Sequence, residues 1–420
     1  MPAKRPNANA RLKTTKRRII MIIKNMNKLL FIAALSVSVN ASAEWSIIGL
    51  GTLGGISSTA TGINDSGQVS GTYRSNDGKS HAFSTGANGI GAFDLGTLGG
   101  SLSVAEDINN SGKVTGASYI TGDALWAIDV PAFHAYLTGE NGIGMNDLGG
   151  PLSYGMDVNN SGVVVGQSAF DSKYVHGFIT ANNGSDMKDM GTLGGNQSSA
   201  LGVNDSGQVV GWSSISTKND IYHAFITGAD GNGMIDLGTL GGESSVATDI
   251  NSSGQTVGSS DDAFGNTRAF VTGPNGFGMT DLGTFGGISS WATGINDAGQ
   301  VVGSAYTPGT EIHAFVFNNG VMVDLSLLEP IVSAGWTNLQ ATEINNFGQI
   351  VGEGTLNGVR QGFLISGADQ EDFYLTYVPP KYDTPTTSIP EPSTYVMLLA
   401  GLGLVGFSLK HQTKSSRVNA

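Results

Sequence analysis

The sequence predicts an all-β fold, a seven-bladed β-propeller of four-stranded blades, and three observations predict it. One ten-residue stretch recurs seven times. The copies are "GINDSGQVSG" from Gly62, "DINNSGKVTG" from Asp107, "DVNNSGVVVG" from Asp157, "GVNDSGQVVG" from Gly202, "DINSSGQTVG" from Asp249, "GINDAGQVVG" from Gly294 and "EINNFGQIVG" from Glu343. Its last glycine falls at 71, 116, 166, 211, 258, 303 and 352, with spacings of 45, 50, 45, 47, 45 and 49. A period near 45 lies in the range of propeller blades. Finally, each unit offers four short apolar segments divided by turn residues, and none has a helical period.

The unit that begins at Asn196 shows the four elements in order. "SSALGVN" is strand A, "GQVVGWS" strand B, "YHAFITG" strand C and "GMIDLG" strand D. Asn204-Asp205-Ser206-Gly207 joins A to B as a tight hairpin; Asn and Gly tolerate the positive φ such a turn needs. Gly-rich "GADGNG" joins C to D. The A–B and C–D hairpins then share one face, and the B–C and D–A connections share the other. Composition agrees. Of 420 residues 63 are Gly and 12 Pro, 39% are hydrophobic and 13% charged, a mix that suits short strands and many turns.

Ring closure is predicted from a surplus. Eight segments can serve as strand D, from Trp45–Gly51 to Phe373–Val378, for seven units. The first carries the Gly-rich connection that leads into a strand A, and the last, in "FYLTYVPP", runs into a Pro and Thr linker. Trp45–Gly51 is therefore expected to complete the seventh blade beside Gly362–Ile365, which leaves no open edge there.

The two ends stand apart from this body. Residues 1–28 carry nine Lys or Arg and no acid, with Met21 and Met26 as alternative starts. "LLFIAALSVSV" follows from Leu29 to Val39, then Ala41-Ser42-Ala43 and Glu44. A basic region, an apolar stretch too short to span a bilayer and a small-x-small site predict a signal peptide over 1–43, cleaved after Ala43. The absence of cysteine fits an exported chain that never depends on disulfides. The expected propeller covers 44–379 and a linker 380–389. At the far end Pro390-Glu391-Pro392 precedes an apolar segment, Thr394 to Leu409, and then Lys410, Lys414 and Arg417. This order closely resembles the PEP-CTERM sorting signal of Gram-negative bacteria, over 390–420. The resemblance implies transient inner-membrane anchoring by a C-terminal transmembrane helix. It also implies processing near Pro390, Glu391 and Pro392 by an exosortase-type enzyme, and delivery to the cell surface or the exopolysaccharide (biofilm) matrix. A plain tail anchor would leave the Pro-Glu-Pro idle.

Between the two ends nine Lys and Arg face 33 Asp and Glu, a net charge near −24. That excludes nucleic acid and anionic membrane as natural partners. It suits solubility first, and permits divalent cations or cationic surfaces.

Two further motifs recur in phase with the repeat. "HAF" stands at His81, His223 and His313, with variants at His134, His176, Arg268 and Gln361. "DLGTLGG" stands at Asp94 and Asp236, with variants at Gly49, Asp147, Asp189 and Asp281. From Gly49 to Gly367 the chain resembles the HAF family of extracellular repeats, which implies export and no particular activity. The last unit departs most, with "DLSLLEP" from Asp324 in place of the Gly-rich stretch.

The residues that suggest chemistry mostly fall to the repeat. Five of the six histidines fill the first HAF position, but Arg268 and Gln361 fill it too. What His, Arg and Gln share is hydrogen-bond donation, not metal affinity, so a structural bond within each blade is expected. Asp107-x-Asn109-x-Ser111-Gly112, with its counterparts from Asp157 and Asp249, resembles the start of a calcium loop. The twelfth position, where such a loop needs an acid, is Ser118, Ser168 or Ser260, so a plain hairpin is expected. Gly49 to Gly54 and Gly401 to Gly406 fit G-x-G-x-x-G without a βαβ context. No G-x-S-x-G and no H-E-x-x-H occur.

Departures from the repeat are then the informative places. The B–C loops, counted from the terminal glycine to the HAF slot, run 9, 17, 9, 11, 9, 9 and 8 residues and hold Tyr73, Tyr119, Trp126, Phe170, Trp212 and Tyr306. These six are the candidate ligand-binding residues, since exposed aromatics suit stacking on sugar rings or anchoring a protein. The expectation is an exported, non-enzymatic structural or binding module, with no cofactor or metal. A carbohydrate-active enzyme is the first rival; it calls for a carboxylate cluster at the axis that breaks the sevenfold repeat, with Asp123 and Asp129 as mild candidates. A calcium-stabilised adhesin is the second.

Overall fold

The structure, a computed structural model, describes residues 45–120, 133–150, 152–170, 173–218 and 221–367. Among these residues the strands form seven antiparallel sheets of four. The first sheet is typical: Ser57–Ile63, Val69–Arg74, Ser80–Ser84 and Phe93–Gly96 lie side by side in chain order. The inner strands of the seven sheets are Ser57–Ile63, Ser103–Ile108, Tyr154–Val158, Ser198–Val203, Gly241–Ile250, Ser290–Ile295 and Trp336–Ile344. This is the propeller that the repeat predicts.

The seventh sheet closes the ring as expected. Its outermost strand is Ser46–Gly51, antiparallel to Val359–Ser366, with Ser46 opposite Ser366 and Ile48 opposite Leu364. The Ser58 hydroxyl donates to the Gly51 carbonyl at 2.5 Å and accepts from the Gly362 N–H at 3.0 Å, which ties the closing strand to the first blade. Phe373–Val378, the linker, the signal peptide and the sorting segment lie outside the described residues. Among the described residues no helix is long and apolar enough to cross a membrane. The departing last unit builds a short helix, Glu329–Ser333, whose Ile331 is fully buried.

Two repeat positions explain the packing. The aromatic of the HAF slot is Phe83, Tyr136, Phe178, Phe225, Phe270, Phe315 or Phe363, and each is fully buried. It faces the preceding blade, while the alanine beside it faces the next: Ala82 and Leu95 of the first blade share a cluster with Ala105, Ile108 and Tyr136 of the second. The glycine that ends each ten-residue stretch lies opposite that aromatic across the strand pair, as Gly71 does opposite Phe83. A Cβ at Gly71 would sit 2.1 Å from the Thr59 carbonyl and 2.7 Å from the Phe83 ring, so no larger residue fits.

Candidate functional site

The ten-residue stretch forms the inner end of each blade. Its first residue lies just beyond a bulge in strand A, as between Ala60 and Gly62 in the first blade. Bulges re-aim the side chain that follows. The third residue is an asparagine in every copy, at 64, 109, 159, 204, 251, 296 and 345, and all seven are buried. Its Oδ1 accepts the N–H groups of its own turn; Asn64 takes those of Ser66 and Gln68 at 3.1 and 3.0 Å. Its Nδ2 donates to the carbonyl of the asparagine one blade on, from Asn64 to Asn109 and onward until Asn345 reaches Asn64 at 2.9 Å. Seven such bonds close a ring around the axis. The asparagine oxygen that a calcium loop would offer is thus spent on its own hairpin.

Inside this ring lies a cavity of about 430 Å³, lined by the ends of the inner strands and by the A–B turns. It opens on the face of the A–B hairpins, opposite the B–C loops. Its wall carries Asp65, Glu106, Asp107, Asp157, Asp205, Asp249, Asp297 and Glu343, and no Lys, Arg or His. The first slot of the stretch supplies the deepest four, Asp107, Asp157, Asp249 and Glu343; the other three blades place Gly62, Gly202 and Gly294 there. The glycines make room: a Cβ at Gly62 would lie 2.7 Å from Asp107 Oδ1, and one at Gly294 would lie 2.5 Å from Glu343 Oε1.

These carboxyls bind backbone. Asp157 Oδ2 accepts the Val203 N–H of the next blade at 2.6 Å, and Asp249 Oδ2 accepts that of Ile295 at 2.7 Å. Asp107 Oδ2 accepts from Val158 at 3.2 Å, and Glu343 Oε1 from Ile344 at 2.8 Å. They touch the cavity but are otherwise enclosed, and that enclosure sets their protonation. Burial first, then the charge of Asp107 and a hydrogen bond with it, push Asp157 well above the usual carboxyl range. Burial likewise raises Asp249 to about 6, against the pull of the Ile295 and Ile250 N–H groups. Glu343 is raised well above its ordinary value by burial and then by the Asp249 charge. Such a cluster disfavours simultaneous ionisation. Among the described residues no group of three or more His, Asp or Glu side chains converges closely enough to hold a metal ion.

This cluster breaks the sevenfold repeat at the axis, which the sequence reading placed instead at Asp123 and Asp129. Those two lie outside the described residues. The signal was present in the first slot of the ten-residue stretch, which alternates between Gly and an acid. Read as a failed calcium loop, it hid that the slot points at the axis.

The histidines do make structural bonds within their blades. His134, His176, His223 and His313 bond through Nδ1 to Asp147, Asp189, Asp236 and Asp324 at 2.8, 2.9, 2.8 and 2.7 Å. His81 sits 3.4 Å from Asp94, which also accepts the Tyr73 hydroxyl at 2.7 Å. Arg268 pairs instead with Asp262 of its B–C hairpin at 3.3 Å. The candidate aromatics are less loop-like than the counting implied. Tyr73, Tyr119, Trp212 and Tyr306 lie on the second strands of their blades, half-buried. Trp212 meets Tyr222 at 5.4 Å between centroids, and Tyr306 meets Trp291 at 5.9 Å. Strand B simply continues past the terminal glycine. Phe170 packs against the core cluster of Ala135, Val158 and Phe178. Trp126 lies outside the described residues.

A family model for the PEP-CTERM protein-sorting motif matches residues 388–412. The chain is thus an exosortase-targeted protein, exported across the inner membrane for surface display. No curated protein matches it. Among solved structures it is similar to an oligogalacturonate lyase in complex with manganese, at 11% identity and a TM-score of 0.48 over 76% of this chain and 92% of that one. An acylaminoacyl peptidase of Pyrococcus horikoshii matches at 10% identity and 0.46 over 70% and 50%, and TolB of Acinetobacter baumannii at 10% and 0.40 over 71% and 81%. At these identities and scores nothing of their activities passes to this chain.

Proposed function

We propose that the chain is a non-catalytic repeat propeller of the HAF type, displayed at the cell surface or in the exopolysaccharide matrix as a structural or ligand-binding module. One observation supports this most. Three of the four axial carboxyls, the acids best placed for chemistry, are occupied in joining blades through backbone N–H groups, and Glu343 accepts from its own strand. Ligand contact then belongs to the opposite face, where the B–C loops vary in length and Trp212 and Tyr306 present half-buried rings. Rigid scaffolds commonly bind through such loops. A glycan array probed with wild type and Trp212→Ala tests this. An anchor residue should cost about 1–3 kcal/mol of binding; unchanged affinity with an intact fold rejects Trp212.

One observation favours a second reading, a carbohydrate-active enzyme. Asp107, Asp157, Asp249 and Glu343 form an asymmetric acid cluster in an open cavity, and paired carboxyls are the tools of glycoside hydrolysis. Glycan turnover abolished by Glu343→Gln would establish it.

A further inference from the structure

The seam between the second and third blades brings two carboxyls together. Asp107 lies near the end of Ser103–Ile108 and Asp157 near the end of Tyr154–Val158. Both carboxyls converge on one amide, the Val158 N–H. Ionised carboxylates are acceptors only, so a bond between them needs a proton. The same pair holds the backbone on both sides. The Val158 N–H donates to Asp157 Oδ1 at 2.5 Å and lies 3.2 Å from Asp107 Oδ2, and the Val203 N–H of the fourth blade donates to Asp157 Oδ2 at 2.6 Å. A chain of contacts thus runs from the second blade through the third to the fourth.

We propose that Asp107 and Asp157 form a proton-held latch across this seam, which loosens the axial end of the second, third and fourth blades as pH rises. Everything facing the pair acts in the same direction. Asp249 and Glu343 belong to the same cluster. Glu106 stands beside Asp107 and accepts the Tyr154 hydroxyl at 2.5 Å. Asp65, Asp205 and Asp297 line the mouth from the A–B turns. Tyr136, fully buried, completes the titratable groups near Glu106. No Lys, Arg or His lines the cavity, so loss of the proton leaves facing carboxylates with no counter-charge. At the neighbouring Gly62 gap the Ser70 hydroxyl is fully buried without a partner. It offers the ionised pair only one weak donor.

Backbone hydrogen exchange of the full chain, followed from pH 6.5 to 8.5, above the range in which Asp249 titrates, and corrected for intrinsic rates, tests the latch. Protection at Val158 and Val203 should fall about tenfold per pH unit until the pair is fully ionised, since each opening then releases one proton. Amides of Ile312–Asn318, in the sixth blade and away from the pair, should keep level protection. In Asp107→Asn the new amide donates to the Asp157 carboxylate at every pH, and the slope at Val158 and Val203 should vanish. Level protection at Val158 and Val203 in the wild type overturns the latch. So does an equal fall at Ile312–Asn318, or a slope that survives in Asp107→Asn. The wild-type comparison decides even where the variant does not fold.

Discussion

Removing the closing strand should cost most of the stability of the propeller. The perturbation is deletion of residues 46–51, compared with deletion of 372–389. The strand is paired at five positions with Val359–Ser366. Those pairs represent roughly 4–5 kcal/mol of backbone hydrogen bonding at about 1 kcal/mol each. Leu50 packs on the buried cluster of Ala60, Ile63, Val69, Val351 and Leu364, worth about 1 kcal/mol for a half-buried side chain. The Ser58 hydroxyl, 1% exposed, would lose its acceptor at Gly51, for another kcal/mol or so. The loss is about 6 kcal/mol or more, against a total of roughly 5–15 for a folded domain. The other deletion leaves every described strand pair intact and should change stability by less than about 1 kcal/mol. Urea denaturation followed by tryptophan fluorescence measures both. Where deletion of 46–51 abolishes folding, Ser58→Ala supplies a graded version costing about 1–3 kcal/mol. Equal stability of the two deletions, or a larger loss on removing 372–389, refutes this account of closure.

Other outcomes follow from the same geometry. Asn204→Ala should destabilise by about 2–4 kcal/mol, because it orphans the Asn251 carbonyl and the Ser206 and Gln208 N–H groups; a change under 0.5 in a thermal or urea melt would argue against the ring. Asp249, raised from 3.8 to about 6 in the folded chain, stabilises it only while protonated. Its contribution is whole below about pH 4 and lost as pH rises through about 6, up to about 3 kcal/mol, so urea midpoints should decline over that window. Asp249→Asn should flatten that part of the decline. Adding EDTA should leave the melting temperature unchanged, since the turn asparagines are already bonded; a drop of several degrees would support a calcium-dependent fold. Intact mass of the exported protein should lack Lys410 to Ala420, and a mass that includes them contradicts processing at the sorting signal.

Much of this architecture was legible because the repeat fixes it. Seven copies at one period predict seven sheets, and the surplus D strand foretold that Ser46–Gly51 joins Val359–Ser366. The exchange of His with Arg and Gln in the HAF slot foretold the His–Asp bonds. The axial cluster was not legible, because Asp107, Asp157, Asp249 and Glu343 are far apart in sequence and sit in a slot that also takes glycine. Only the bulged inner strand shows that this slot meets at the axis. The aromatics were misplaced for a related reason: a terminal glycine reads as a turn, yet at Gly71 and Gly211 it lies inside a strand, opposite the aromatic of the HAF slot.

The most direct test of a binding, non-catalytic propeller is to incubate the exported protein with the glycans it retains and to weigh them by mass spectrometry. This account predicts retained glycans of unchanged mass. Shortened or unsaturated products that disappear in Glu343→Gln would contradict it and assign chemistry to the axial carboxyls.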